Sequence, residues 1–211
     1  AYKTVKLPQK ESRKLATDIP KIATKAHVIN VSDIGIQTRH AIVSKSEDIE
    51  PNQWLEKNKL CYLAVLERHG KEGSIGLALL QDFGIENAAV ACSVGHDAHN
   101  VVAAGTNEED MLVAVNAVEK TLGGVCVVRE GKVLAMVELP VAGLLSDERA
   151  PKVAATDFNF RLVEAILKRG QSQKDYLLFL GFFFPLAAIF FFFGLFFLSP
   201  LATTRSTASC R

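Results

Sequence analysis

Short apolar runs alternate with polar breaks along the first 145 residues, and most of these runs have the length of a β-strand. The run at 61–66 is apolar on both faces and stops at Glu67-Arg68-His69, which indicates a strand buried on both sides that ends at a polar edge. Glu130-Gly131-Lys132 favours a hairpin turn. The predicted strands are 26–31, 36–43, 61–66, 74–80, 88–93, 100–104, 125–129 and 133–139.

A helical period replaces the strand pattern after Thr106, which has the spacing of a capping box with Glu109. Apolar side chains then recur every three or four positions until Gly123-Gly124 ends the helix. They are Met111, Ala114, Val115, Val118 and Leu122. A second helix is predicted over 146–170, and 46–58 is predicted to be a polar loop. The fold class is therefore α+β, a mainly antiparallel or mixed β-sheet packed with a few helices, followed by a very apolar C-terminal tail.

Composition divides the chain into three parts. With 211 residues, 49% hydrophobic and 22% charged, the chain suits one globular domain with an appendage. Residues 1–25 are predicted to be a lead-in, 26–170 the α+β domain, and 171–211 a phenylalanine-rich tail. The uncharged stretch 176–198 is long enough to span a bilayer, although Pro185 would kink it. Two interpretations of the tail stay open, a frame slip in the coding sequence and a membrane anchor.

Charge and cysteine usage exclude several classes of protein. A formal net charge of +1 gives no basic surface for nucleic acid, so no nucleic-acid partner is expected. The four cysteines form no C-x-x-C pair, which excludes a zinc ribbon and a thioredoxin-type motif. No secretory signal is expected, because the sequence does not open on a charged and then apolar leader. A reduced cytoplasmic protein is expected, with membrane anchoring through 176–198 as the alternative.

The densest group of reactive side chains is His96, Asp97, His99 and Asn100, at the mouth of two predicted strands. Histidines three residues apart can converge on one metal, with Asp97 as a further ligand or as the acceptor that fixes a ring tautomer. A histidine and Asp97 could instead carry protons. The structural alternative is a polar turn whose imidazoles hydrogen-bond to backbone.

A second cluster, Glu67, Arg68 and His69, offers an acid, a fixed cation and an imidazole at the end of the 61–66 strand. Its structural alternative is a solvated strand end, where a Glu–Arg pair contributes little. Phosphate-binding glycine loops, a serine nucleophile elbow and the zinc deaminase signature are all absent.

Several separate blocks together resemble the C-terminal domain of microbial adenine deaminase, in the same order and spacing from about residue 26 to 153. They are Val65-Leu66-Glu67-Arg68-His69, Ser93-Val94-Gly95-His96-Asp97-Ala98-His99-Asn100, Gly105-Thr106-Asn107-Glu108-Glu109-Asp110-Met111, Gly123-Gly124 and Leu139-Pro140-Val141-Ala142-Gly143-Leu144-Leu145-Ser146. That family belongs to the amidohydrolase superfamily. The resemblance implies a hydrolase of purine salvage that converts adenine to hypoxanthine and ammonia with a metal-activated water.

The same resemblance implies a divalent metal centre, with manganese or iron, in a barrel domain that this chain does not contain. It makes Glu67, Arg68, His69, His96, Asp97, His99 and Asn100 candidates for completing the catalytic site, with His96 and His99 as candidate metal ligands. The implied partners are adenine, the amidohydrolase barrel in the same or a separate chain, and further copies in a homo-oligomer. This fragment alone is expected to be inactive. The alternative function is a non-catalytic metal-binding or interaction module.

Overall fold

Eight β-strands form a single mixed sheet in a computed structural model that describes residues 5–31, 38–95 and 98–155. The strands are β1 (Lys25–Val31), β2 (Thr38–Ser44), β3 (Leu60–Leu66), β4 (Ile75–Gln81), β5 (Ala89–Cys92), β6 (Val101–Gly105), β7 (Gly124–Arg129) and β8 (Lys132–Glu138). The helices are α1 (Ile19–Ile22), α2 (Pro51–Lys57), α3 (Glu108–Lys120) and α4 (Ala150–Ala155), besides a 3₁₀ turn at Lys10–Ser12. The predicted α+β class is confirmed; the apolar tail lies outside the described residues.

The strand order is β2-β1-β4-β3-β6-β5-β7-β8. Neighbouring strands run antiparallel, except that β1 and β4 pair in parallel. β3 is antiparallel to both β4 and β6, and β5 is antiparallel to both β6 and β7. The connecting loops therefore alternate between the two ends of the strands, and loops that are distant in sequence lie together at the same end.

Both faces of the sheet are buried near its centre, which explains why the central strands are apolar without strict alternation. One face packs against α2, α3 and the lead-in, where Trp54, Leu15 and Met111 are among the fully buried side chains. The opposite face is covered by chain around Ile85 and by the segment after β8. No helix in the described part of the chain is long and apolar enough to cross a membrane.

Helix α3 begins one residue later than the capping box predicted. Asn107, not Thr106, is the N-cap: its side-chain oxygen accepts from the backbone N–H of Asp110 at 2.7 Å. The Thr106 hydroxyl instead points to the carbonyl of Ala88 at 3.5 Å. Asp110 is itself buried, and its carboxylate accepts from the backbone of Gly131 at 2.7 Å, so the start of α3 holds the β7–β8 turn.

Replacing Asn107 with alanine is therefore expected to lower the free energy of unfolding by about 1 kcal/mol, the usual cost of losing an N-cap. The matched control is Thr106→Ala, which removes a hydroxyl with no capping bond and should cost about half as much or less. Urea denaturation followed by circular dichroism checks both. If the two variants lost the same free energy of unfolding, or Thr106→Ala lost more, Asn107 would not be the N-cap.

The lead-in is tied to α3 by two side chains. Arg13 is 6% exposed and donates to Asn116 at 2.6 Å and to Glu119 at 2.7 Å. In the other direction, the Glu108 carboxylate accepts from the backbone N–H of Leu15 at 2.6 Å. Further upstream, the N–H of Lys6 donates to the carbonyl of Arg68 at 2.8 Å. The lead-in thus runs from the end of β3 to the exposed side of α3.

Two further local predictions are wrong. The stretch predicted as a polar loop contains α2, in which Pro51 starts the helix and Trp54 and Leu55 are buried. Tertiary burial of these two apolar side chains outweighs the polar composition. After β8, the helix predicted from residue 146 begins only at Ala150, and its continuation past 155 lies outside the described residues.

Candidate functional site

Three loops meet at one edge of the sheet, at the ends of β3, β5 and β8, and two of them are polar. The described residues of these loops are 67–73, 93–95 with 98–100, and 139–145, and we call this the site edge. The pairing of Leu66 with Val101 and of Cys92 with Val125 brings the loops into line. The described members of both sequence-predicted clusters lie on the site edge; His96 and Asp97 fall outside the described residues.

Arg68 joins the loops from inside. Its residue is 2% exposed, and its guanidinium donates to the backbone carbonyl of His99 and, at 3.0 Å, to that of Ala142. Burial lowers the pKa of the Arg68 guanidinium from its ordinary value, but an arginine stays cationic at neutral pH. A cation held on two carbonyl oxygens fixes the relative positions of the second and third loops.

His69 adds a second link between the two predicted clusters. Its Nε2 lies 2.9 Å from the carbonyl oxygen of Ala98, so this nitrogen carries the hydrogen and donates. Its neighbour Glu67 turns back onto its own loop, where the carboxylate accepts from the backbone N–H groups of His69, Lys71 and Gly73. Desolvation opposes ionisation of Glu67, yet these donors lower the pKa of its carboxyl below the ordinary value.

Among the described side chains of the site edge, His99 is the one with an unsatisfied polar atom. Its Nδ1 is shielded from solvent and has no hydrogen-bond partner within the described ranges. The His99 backbone has φ +49°, in the left-handed region that residues other than glycine seldom adopt. Asn100, next along the chain, is half-buried where β6 begins. Strain and an orphaned nitrogen at one residue are characteristic of a functional position.

A tightly packed floor supports the loops. The buried Ser93 hydroxyl donates to the carbonyl of Gly143 at 2.6 Å and accepts from the N–H of Gly124 at 2.8 Å. Gly143 has φ +70°, and a Cβ there would lie 2.3 Å from Nη1 of Arg68. A Cβ on Gly123 would lie 2.3 Å from Cα of Gly143, and one on Gly124 would lie 2.2 Å from the carbonyl oxygen of Val137, so only glycine fits at these positions as well.

The described side chains of the site edge do not assemble a metal centre. Within the described ranges, no three histidine, cysteine, aspartate or glutamate side chains are grouped as metal ligands. His69 and Glu67 use their polar atoms on backbone groups. The thiols of Cys61 and Cys92 are buried, and burial raises the pKa of each to about 12, so neither is an active thiolate at neutral pH.

The described members of the two clusters lie next to the ends of strands, but their connections were not predicted. Ser93 and Gly143 gave no chemical signal in the sequence, because their importance comes from contacts between residues 50 positions apart. Arg68 was predicted as a polar strand-end residue and is instead buried.

Comparisons with known proteins identify relatives over most of the chain. Residues 36–190 match the family model for the adenine deaminase C-terminal domain. Over 159 residues the chain is 50% identical to adenine deaminase 3 of Rhizobium johnstonii and 48% identical to an adenine deaminase of Chelativorans sp., in each case over 73% of this chain and 26% of the relative. An adenine deaminase of Mesorhizobium japonicum is 40% identical over 181 residues, 82% of this chain and 30% of that protein. The chain spans about a quarter of the length of these curated relatives.

Proposed function

The chain belongs to the family of adenine deaminase C-terminal domains, and from that membership we propose that it is part of an adenine deaminase that hydrolyses adenine to hypoxanthine and ammonia. The site edge is the surface that we assign to the catalytic partner, an amidohydrolase barrel in the same or another chain. One observation carries this placement: His99 holds a buried ring nitrogen without a partner among the described residues. A group outside those residues, on the barrel or on the purine, would satisfy it.

The contacts described above suggest different roles for the candidate residues. Arg68 and His69 are positioning residues, because each holds the loop that carries His99 by a bond to its backbone. Glu67 shapes its own loop, since its carboxylate is occupied by backbone donors. His99 is the described side chain available to meet the catalytic partner, and Asn100 lies beside it.

We place the divalent metal, manganese or iron, outside the described residues, because these do not supply a set of three ligands. His96 and Asp97 keep their candidacy as ligands or proton carriers on sequence grounds. What the described part of the site edge can do is orient a base, hold a ring nitrogen in one tautomer and exclude water. A reducing compartment, the cytoplasm, suits a domain with three buried free thiols.

A chimaera tests this function. The full chain would replace the matching quarter of the Rhizobium johnstonii adenine deaminase 3, and hypoxanthine release from adenine would be measured. We expect the chimaera to deaminate adenine, and the His99→Asn variant to lower kcat/KM at least about tenfold. Asparagine tolerates the left-handed backbone at this position, so the change removes the imidazole without adding strain.

Lys132→Gln is the control, because that lysine is exposed on the β7–β8 hairpin and should leave turnover unchanged. A well-folded chimaera that releases no hypoxanthine, beside an active parent, would reject the assignment as a deaminase component. Full activity in His99→Asn would instead show that the site edge does not face the catalytic partner. In that case the chain would still be a component of an adenine deaminase, whereas the silent chimaera would make the non-catalytic module the better description.

A further inference from the structure

Two histidines outside the site edge lie together on the β1–β2 hairpin. In the register of these strands, His27 pairs with Ile42 and Ile29 with His40, so the two imidazoles are diagonal neighbours on the same face. Their ring centroids are 4.9 Å apart, and the ring planes differ by 18°. Nδ1 of His27 lies 2.7 Å from Nε2 of His40.

Neither the core nor the candidate site accounts for this pair. Both histidines are exposed, so burial does not force the rings together. The hairpin is separated from the site edge by β4, since β1 pairs with β4 and not with β3. The two facing nitrogens share a hydrogen bond in the metal-free pair, and they are also the atoms that a bound ion would use.

We propose that His27 and His40 form a binding site for a divalent transition-metal cation of the Zn²⁺, Ni²⁺ or Cu²⁺ class. Imidazole nitrogen is a preferred ligand of these ions, whereas Mg²⁺, Ca²⁺ and Mn²⁺ favour oxygen. With metal–nitrogen bonds of about 2.0–2.1 Å, both nitrogens can reach one ion when the two rings turn out of their head-on contact, which exposed side chains can do. Water completes the coordination.

The site requires one pair of ring tautomers. In the metal-free pair one facing nitrogen donates its hydrogen to the other, whereas in the bound form both facing nitrogens present lone pairs to the ion. The ring hydrogens then reside on the two outer nitrogens. Binding therefore needs a tautomer change in one ring and no net loss of a proton from two neutral imidazoles. It is independent of the deaminase proposal, because neither residue belongs to the site edge.

The test is a ZnCl₂ titration of the full chain, followed by isothermal titration calorimetry and by NMR of the histidine ring nitrogens. We expect Zn²⁺ to shift the resonances of His27 and His40, EDTA to reverse the shift, and Mg²⁺ to cause none. His27→Gln and His40→Gln should each weaken this Zn²⁺ binding at least about tenfold, because each removes one of two protein ligands. Thr38→Gln, an exposed change on the same strand, should leave it intact.

Because both histidines are exposed, the variants should keep the unfolding midpoint of the parent, which circular dichroism verifies. Zn²⁺ shifts confined to other histidines would overturn the proposal and place metal binding elsewhere. The proposal also fails if the two rings do not respond to Zn²⁺ at all, or if both glutamine variants bind Zn²⁺ as the parent does.

Discussion

Replacing Arg68 with methionine is expected to lower the free energy of unfolding by about 3 kcal/mol. The side chain is buried, and its guanidinium donates to the carbonyls of His99 and Ala142. Methionine keeps much of the apolar volume but leaves both oxygens without this donor in a place that water reaches poorly. Urea denaturation of the full chain, followed by circular dichroism, measures the loss.

The chain provides a matched control in Arg129, which also donates to two backbone carbonyls, those of Glu86 and Asn87, at 3.2 Å each. These bonds lie near solvent, so water can replace them, and Arg129→Met should cost less than about 1 kcal/mol. Arg68→Lys should fall between the two, because it keeps the charge but not the planar fork. If Arg68→Met and Arg129→Met lowered stability equally, Arg68 would not be the connector of the site edge.

Replacing Gly123 with alanine is expected to lower the free energy of unfolding by more than about 4 kcal/mol or to prevent folding. The backbone there has φ +132°, which side-chain-bearing residues rarely adopt. The added Cβ would lie 2.3 Å from Cα of Gly143 and 2.7 Å from the carbonyl oxygen of Leu139. Both contacts are with backbone, so no side chain can rotate away.

Gly131→Ala is the control that measures the cost of the backbone conformation without the steric clash expected at Gly123. That glycine also has positive φ, +71°, but a Cβ on it would meet no atom within 4 Å. Its replacement should cost about 1 kcal/mol, from the left-handed conformation alone. Denaturation midpoints of the two variants, expressed and purified in parallel, make the comparison. A Gly123→Ala protein as stable as Gly131→Ala would mean that the backbone at 123 and 143 separates at little cost.

The strands were predictable because the apolar runs are bounded by clear turn residues, and all eight predicted runs overlap observed strands. Helix α2 was not predictable from the sequence, because Trp54 and Leu55 are its only buried side chains. Seven residues are also too few to show a clear helical period of apolar positions. The cap of α3 was misplaced by one residue because Thr106 and Asn107 are both good caps, and the choice between them depends on how β6 ends.

The two polar clusters of the site edge were predictable from residue type, but their contact was not. Arg68 and His99 are 31 residues apart, and what joins them is the antiparallel pairing of β3 with β6 together with a long buried side chain. No local pattern encodes such a contact. The left-handed backbone of His99 was equally hidden, since histidine adopts that conformation too seldom for its presence to predict it.

The lead-in has a consequence for any polypeptide joined ahead of it. Lys6 forms a parallel bridge with His69 and Arg13 fastens the same segment to α3, so the point of attachment is fixed beside the site edge. A domain fused before Val5 would be tethered within one strand spacing of Arg68, and its effective concentration at the site edge would be in the millimolar range or above. Two such domains would then form a working interface even with weak intrinsic affinity, because the covalent connection keeps their local concentration high.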